Sequence, residues 1–297
     1  MQVRRSLNGA LSRLAFCAAA ALCFSATPAM AETVVLEPVT KWVVDWGKES
    51  CALRRGFGDM ANLSGVQLEQ FFPGLGFQLL LTSDQFGRMR QTDQPEIHFG
   101  NIDDISKKLD RALIGKGEGE GEKLTLFVPS AMIFETEEPS RVLADEEIAA
   151  REAAVDRIAV ESRGRTLVFK TGAMDKVFAA MRQCTNDLAA QWGFDEAKRE
   201  NIARMPVPRG IADWLRPADY PFLNLRRGDQ ALVNFRLMVD ETGKPTECVI
   251  QRSYSDKNFD DHSCELLMKR ARFEPALDQA GKPVAAYHGN VISWIVQ

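Results

Sequence analysis

The chain has 297 residues, of which 45% are hydrophobic and 26% are charged, and its net charge is −4 at pH 7. This composition is typical of a globular protein. The mildly acidic balance argues against binding to nucleic acid or to an anionic membrane surface.

The first 31 residues have the pattern of a secretory signal. Arg4, Arg5 and Arg13 form a basic start, residues 14–26 are apolar, and a small-x-small site ends at Ala31. The apolar run is too short for a bilayer, which needs roughly 20 residues. We therefore predict export and cleavage after Ala31, which leaves 34 basic and 41 acidic residues and a net charge of −7. The alternative is an uncleaved N-terminus that anchors the chain in the inner membrane.

Residues 32–193 are predicted to form a mostly-β domain. Short apolar runs occur at residues 41–45, 51–57, 66–71, 77–82, 96–99, 124–128, 157–160 and 166–170. Turn signals separate them, and this spacing favours a sandwich or a curled antiparallel sheet. Residues 105–113 have helical spacing, and residues 115–123 (GKGEGEGEK) are predicted to be a solvated loop without a phosphate-binding motif.

An amphipathic helix is predicted over residues 174–192, where it would close the N-terminal domain. Its apolar face comprises Met174, Val177, Phe178, Met181, Leu188 and Trp192. Residues 194–216 are predicted to be a linker, since they are charged and then contain Pro206 and Pro208, which favour an extended backbone.

The last third, residues 217–297, is predicted to contain three strands and a helix. The strands are expected at residues 230–239, 246–253 and 290–296, and the helix at residues 261–273. A tight turn at residues 240–244 contains Gly243, which can adopt a positive φ angle.

An ordered set of short motifs runs through this third. They are Tyr220-Pro221, Leu225-Arg226-Arg227-Gly228, Arg252-Ser253, Arg270-Ala271-Arg272-Phe273-Glu274-Pro275-Ala276 and Gly281-Lys282-Pro283. Together they resemble the C-terminal domain of TonB, the periplasmic energy transducer of Gram-negative bacteria. The resemblance implies an α+β fold, with helices on one face of a three-stranded antiparallel sheet whose first strand lies in the middle.

The same resemblance implies a periplasmic location and a class of partner. TonB relatives bind a short extended box near the N-terminus of TonB-dependent outer-membrane receptors, and they couple to an inner-membrane proton motor. The expected membrane helix and long Pro-rich spacer are missing from this sequence, so the resemblance covers the receptor-binding end and not the energy-input end.

The last strand is predicted to be the partner-binding site. In the expected arrangement it lies at an edge of the sheet, where unpaired N–H and C=O groups can accept an extended peptide as another strand. The predicted docking residues are Val291, Ile292, Ser293, Trp294, Ile295 and Val296. The alternative is that an oligomer partner or the N-terminal domain covers this edge.

Four cysteines remain after the signal: Cys51, Cys184, Cys248 and Cys264. An even number in an oxidising compartment favours disulfides, with three possible connectivities, although four free thiols are an alternative. We favour Cys248–Cys264, because the second strand and the helix pack together in TonB-like domains. Cys51–Cys184 would then tie the start of the N-terminal domain to its last helix.

Nothing in the sequence points to catalysis. The three histidines, at positions 98, 262 and 288, are scattered, and no Cys-x-x-Cys pair or serine elbow occurs. We predict no enzymatic activity, no cofactor, no metal and no small-molecule substrate. Two functions are expected: a partner in TonB-dependent transport, or a soluble periplasmic binding or scaffolding module without energy coupling.

Overall fold

The computed structural model describes residues 32–87, 89–100, 112–116, 123–134, 136, 138, 140–254 and 257–296. The predicted signal segment lies outside these ranges, as do residues 105–111 of the predicted helix and residues 117–122 of the predicted loop. The fold is α+β, with several sheets and few helices.

The N-terminal part contains ten strands and two α-helices in the described ranges. The strands are β1 Glu32–Leu36, β2 Val43–Trp46, β3 Cys51–Asp59, β4 Asn62–Gln70, β5 Phe77–Thr82, β6 Glu96–Phe99, β7 Leu113–Lys116, β8 Leu124–Ala131, β9 Ile158–Ser162 and β10 Arg165–Phe169, and the helices are α1 Asp145–Ala153 and α2 Asp175–Gln191.

These ten strands form two sheets. The larger sheet is antiparallel and has the order β2-β3-β4-β5-β8-β7, and the smaller has the order β1-β10-β9-β6. In the smaller sheet β1 is parallel to β10, a pairing between strands that lie more than 120 residues apart in the sequence.

The two sheets share one hydrophobic core with α2. Phe57 of the larger sheet contacts Phe169 of the smaller edge to face, with ring centroids 5.5 Å apart. Helix α2 faces this core with Phe178, Met181 and Leu188, which recur at the three- and four-residue spacing of one helix face.

The C-terminal part contains the remaining strands and α-helices. They are α3 Glu196–Asn201, β11 Ile202–Arg204, β12 Val207–Arg209, α4 Phe222–Arg227, β13 Ala231–Val239, β14 Pro245–Ser253, α5 Lys257–Arg270, β15 Arg272–Glu274, β16 Ala276–Asp278, β17 Pro283–Val284 and β18 Ala286–Trp294.

The main sheet of this part is antiparallel and has the order β14-β13-β18. Val233, Phe235, Leu237 and Val239 alternate along β13 and are buried in a core with Phe259 and Leu267 of α5 and with Trp294. The sheet therefore has one face packed against α5, and its third strand, β18, lies at an edge.

Both cysteine pairs favoured by the sequence are bonded in the structure. Cys51–Cys184 joins β3 to α2, and its two residues are 133 positions apart. Cys248–Cys264 joins β14 to α5 across 16 positions. Each disulfide therefore lies within one part of the chain.

Several element boundaries differ from the prediction. Helix α5 spans Lys257–Arg270 instead of residues 261–273, and β18 spans Ala286–Trp294 instead of residues 290–296. Helix α5 ends before Phe273 because the N–H of Phe273 donates to the carbonyl of Gly243 in the β13–β14 turn (2.9 Å). Helices α1, α3 and α4 were not predicted.

Two other stretches also differ. Leu113–Lys116 forms strand β7 paired with β8, so Leu113 is not helical and Gly115 and Lys116 are not in a loop. The segment predicted to be a linker is structured: β11 pairs with β16, and β12, which contains Pro208, pairs with β15. These pairings hold the segment against the C-terminal sheet elements.

Candidate docking edge of the C-terminal sheet

The edge strand β18 has one regular pairing. Nine consecutive residues, from Ala286 to Trp294, pair with β13 without a register shift. No other strand in the described ranges pairs with β18. Its outer edge therefore keeps the even spacing that an added strand needs.

The opposite edge strand is less regular. The pairing of β14 with β13 contains two register shifts, one between Asn234 and Phe235 and one between Met238 and Val239. Such irregularities disrupt the hydrogen-bond spacing along an edge. Of the two edges, β18 is therefore the better template for a guest strand.

The six predicted docking residues separate into two groups. Ile292 and Trp294 are buried in the core shared with α5, and Trp294 donates its indole N–H to Ser263 Oγ (3.0 Å). The side chains of Val291 and Ser293 lie on the opposite face. Ile295 and Val296 follow the strand and are about one-third exposed. A guest strand would therefore bind through the main chain and not through the large side chains.

The side chain of Asn290 occupies one main-chain N–H group of β18. Its Oδ1 accepts a hydrogen bond from the N–H of Val291 at 2.8 Å. Because N–H groups alternate in direction along a strand, the N–H of Ser293 points to the same side as that of Val291. The sequence did not indicate this contact, since an asparagine in a strand has no characteristic pattern.

The face of the sheet opposite α5 is covered by the N-terminal part. A Cβ atom on Gly289 would lie 2.1 Å from the ring of Phe72, so glycine is required for this close approach. Next to it, the ring of Tyr287 contacts those of Trp192 and Phe194 edge to face at 5.8 and 5.3 Å. The first half of β18 is therefore fixed against the N-terminal part, whereas Asn290 and Ser293 in its second half are exposed.

Polar residues of β13 complete this covered face. Asn234 Oδ1 accepts a hydrogen bond from Gln78 Nε2 at 2.8 Å, and both side chains are buried. Arg236 is buried beneath the ring of Trp192 and lies 3.8 Å from Glu49. Burial lowers the pKa of Arg236, and the nearby Glu49 carboxylate partly offsets this effect.

The end of β14 is also held by the N-terminal part. Gln251 Nε2 donates to the carbonyl of Phe71 at 2.7 Å, and Arg252 forms an ion pair with Glu69 at 2.9 Å. These contacts occupy the end of β14 and leave the second half of β18 as the more accessible edge.

His288 lies in β18 among the rings of Trp214, Phe235 and Phe273, at centroid distances of 5.0 to 6.5 Å. Its Nε2 atom has no hydrogen-bond partner. Burial lowers the pKa of His288 to about 4, because the charged imidazolium is disfavoured among apolar rings. This histidine is a neutral core residue near physiological pH.

The basic residue Arg270 at the end of α5 is engaged within the chain. It donates to both carboxylate oxygens of Asp219, at 2.5 and 2.9 Å. This bidentate hydrogen bonding is the main reason that the pKa of Asp219 falls to about 2. His262 Nε2 lies 2.8 Å from the carbonyl oxygen of Asp219, at hydrogen-bond distance, so this histidine also has a structural role.

No helix in the described part of the chain is both long and apolar enough to cross a membrane.

Comparison with curated proteins and with solved structures returned no significant match. Residues 216–295 match the family model described as Gram-negative bacterial TonB protein C-terminal. This region contains the β14-β13-β18 sheet, helix α5 and the candidate docking edge on β18. Residues 216–295 are therefore a domain of the TonB C-terminal family.

Proposed function

We propose that this chain binds an extended segment of a TonB-dependent outer-membrane receptor as an additional strand along β18. Membership of the TonB C-terminal family suggests a TonB-like role in energy-transduced transport, in a periplasmic or membrane-anchored location. Domains of this family are non-enzymatic. The observation that carries the proposal is the unbroken nine-residue register of β18, whose outer side pairs with no other described strand.

Affinity in this binding mode comes from main-chain hydrogen bonds. The N–H groups of Val291 and Ser293 are the donors on the outer side of the second half of β18. The guest must compete with Asn290 for the first of these donors. The buried side chains of Ile292 and Trp294 hold the strand rigid, so the edge does not have to fold before it binds.

A proline on the outer edge tests the proposal. Ser293→Pro removes the outward N–H and places a ring on the guest side. Titration of the full chain with fluorescent receptor-box peptides should show affinity at least ~10-fold weaker, since one main-chain hydrogen bond is lost and the ring blocks the close approach of the guest strand. Ser293→Ala, which changes the same side chain but keeps the outward N–H, is the matched control, with near-ultraviolet circular dichroism to confirm folding.

A second variant changes affinity in the opposite direction. Asn290→Ala frees the N–H of Val291, so the peptide should bind about 5-fold more tightly, as expected for one hydrogen bond of about 1 kcal/mol. Equal binding by wild type, Ser293→Pro and Asn290→Ala would exclude β18 as the docking edge.

A binding or scaffolding role without energy coupling is the second candidate. The covered sheet face favours it, because Phe72, Trp192 and Gln78 fix the domain against the N-terminal part instead of leaving it on a free spacer. Fractionation separates the two functions. An energy-coupled protein should sediment with membranes and with the proton-motor complex, whereas a scaffolding module should remain in the periplasmic fraction.

A further inference from the structure

A cluster of possible metal ligands lies on the smaller N-terminal sheet, far in sequence from the TonB-like domain. Glu96 and His98 lie two residues apart on β6 and therefore share one face of the sheet. Glu161 of β9 pairs directly with Glu96. One donor atom from each of these three residues lies within 4.8 Å of the other two.

His98 is the distinctive member of this cluster. It is only 4% exposed, and neither ring nitrogen has a hydrogen-bond partner. Buried polar side chains in folded proteins are nearly always satisfied, and an orphaned one requires an explanation. A bound cation provides one, because a ring nitrogen of neutral imidazole is a good metal ligand.

The two carboxylates lie close enough together to share one cation. Glu96 and Glu161 are opposite each other on neighbouring strands, where like charges destabilise a sheet. Two arginines that line the same cleft, Arg163 and Arg165, make hydrogen bonds to other groups. Arg163 forms a bidentate pair with Asp93 at 2.6 and 2.7 Å, and Arg165 donates to the carbonyl of Gln85 at 2.7 Å. A cation between the carboxylates would remove the repulsion.

We propose that Glu96, His98 and Glu161 bind a divalent transition-metal ion, with Zn²⁺ as the preferred occupant. The three donors lie within 4.8 Å of one another, so small rotations of the two glutamate side chains would bring all three within the ~2.0–2.2 Å of one ion that imidazole nitrogen and carboxylate oxygen require. The imidazole favours Zn²⁺ over Ca²⁺ and Mg²⁺, which take oxygen ligands. Glu96 and Glu161 also line an open cleft with Thr92, Gln94 and Thr166, so a fourth coordination position faces solvent.

Metal titration of the full, disulfide-bonded chain tests this site. The protein is stripped with EDTA, and Zn²⁺ binding is measured by calorimetry, with Co²⁺ absorption as a second readout. We expect one ion per chain. Glu161→Gln and His98→Gln should each weaken Zn²⁺ affinity by at least ~10-fold. The loss of a direct metal ligand should lower the affinity at least as much as the loss of a residue that hydrogen-bonds to a ligand.

The matched control is Glu265→Gln. Its carboxylate lies 4.0 Å from His262, so it removes a similar histidine–glutamate pair elsewhere in the chain. His98 is buried, so Glu161→Gln, at a half-buried residue, is the variant that keeps the fold. The site is supported if Glu265→Gln binds Zn²⁺ like wild type while Glu161→Gln binds it weakly. The proposed site would be overturned if the wild-type protein shows no saturable binding of Zn²⁺ or Co²⁺. It would also be overturned if Glu161→Gln and Glu265→Gln bind Zn²⁺ with equal affinity.

Discussion

The guanidinium carbon of Arg236 lies 3.7 Å from the centroid of the Trp192 ring. Arg236 lies on β13 of the C-terminal sheet, and Trp192 directly follows helix α2. This contact brings a buried cation from the TonB-like domain against an aromatic ring of the N-terminal part. The pair couples the two parts energetically, so its removal should be measurable as a loss of stability.

Trp192→Leu should lower the free energy of unfolding by about 1–3 kcal/mol, because it removes a desolvated cation–π contact and leaves Arg236 buried without its partner. Arg236→Met added to Trp192→Leu should recover much of this loss, since apolar residues often replace a buried charge at little cost. Urea unfolding followed by circular dichroism measures both values. Trp46→Leu, at an exposed tryptophan, is the control and should change stability little. A Trp192→Leu protein as stable as that control would contradict the coupling.

The two disulfides should differ in their contribution to stability. Removing Cys51–Cys184, which closes a loop of 133 residues, should cost about 5 kcal/mol in the chain-entropy model. Removing Cys248–Cys264, which closes a loop of 16 residues, should cost about 3 kcal/mol. Chemical unfolding of the two double-alanine variants measures the difference. A larger loss for the shorter loop would indicate that packing around the sulfur atoms, and not loop closure, dominates.

His288 should make the fold sensitive to acid. Its pKa in the folded protein is about 4, whereas the unfolded chain binds a proton near the ordinary value of 6.5. The unfolded state therefore binds more protons between these values, so stability is complete above pH 6.5 and falls as pH decreases toward 4. The expected loss is about 3 kcal/mol.

His288→Phe should remove the pH dependence in this window, as measured by thermal unfolding between pH 7 and pH 4. Asp219 contributes in a lower window, because its pKa is about 2 and the stability from its bond with Arg270 is lost only as pH falls below 3.8. An unchanged slope between pH 6.5 and pH 4 in His288→Phe would show that another group is responsible.

Gly243→Ala should destabilise the β13–β14 turn strongly. Gly243 has a φ angle of 82°, and a Cβ atom there would lie 2.1 Å from the carbonyl oxygen of Phe273. The expected cost is above the ~1–3 kcal/mol of backbone strain alone, since the clash also breaks the hydrogen bond from Phe273 N–H to Gly243 O. Gly281→Ala is the matched control, because Gly281 has a similar φ angle of 76° but open space around it. Equal unfolding free energies for the two variants would rule out the clash.

Local patterns in the sequence were sufficient for most of the regular elements. Phe77–Thr82 and Glu96–Phe99 form strands at the predicted bounds, and Phe178, Met181 and Leu188 face the core from α2. These predictions succeed because the spacing of apolar residues within a segment reports which side of that segment is buried. The motifs of the last third likewise identified the TonB C-terminal domain, which the family match to residues 216–295 confirms.

Contacts between distant segments were decided only by the tertiary structure. Residues 202–209 contain strands because β16 and β15 lie beside them, and β18 begins at Ala286 because β13 continues its pairing to Val239. Glu161 reaches Glu96 and His98 only through the pairing of β9 with β6. No periodicity within a segment encodes the identity of its neighbour, since strand pairing depends on residues tens to hundreds of positions away.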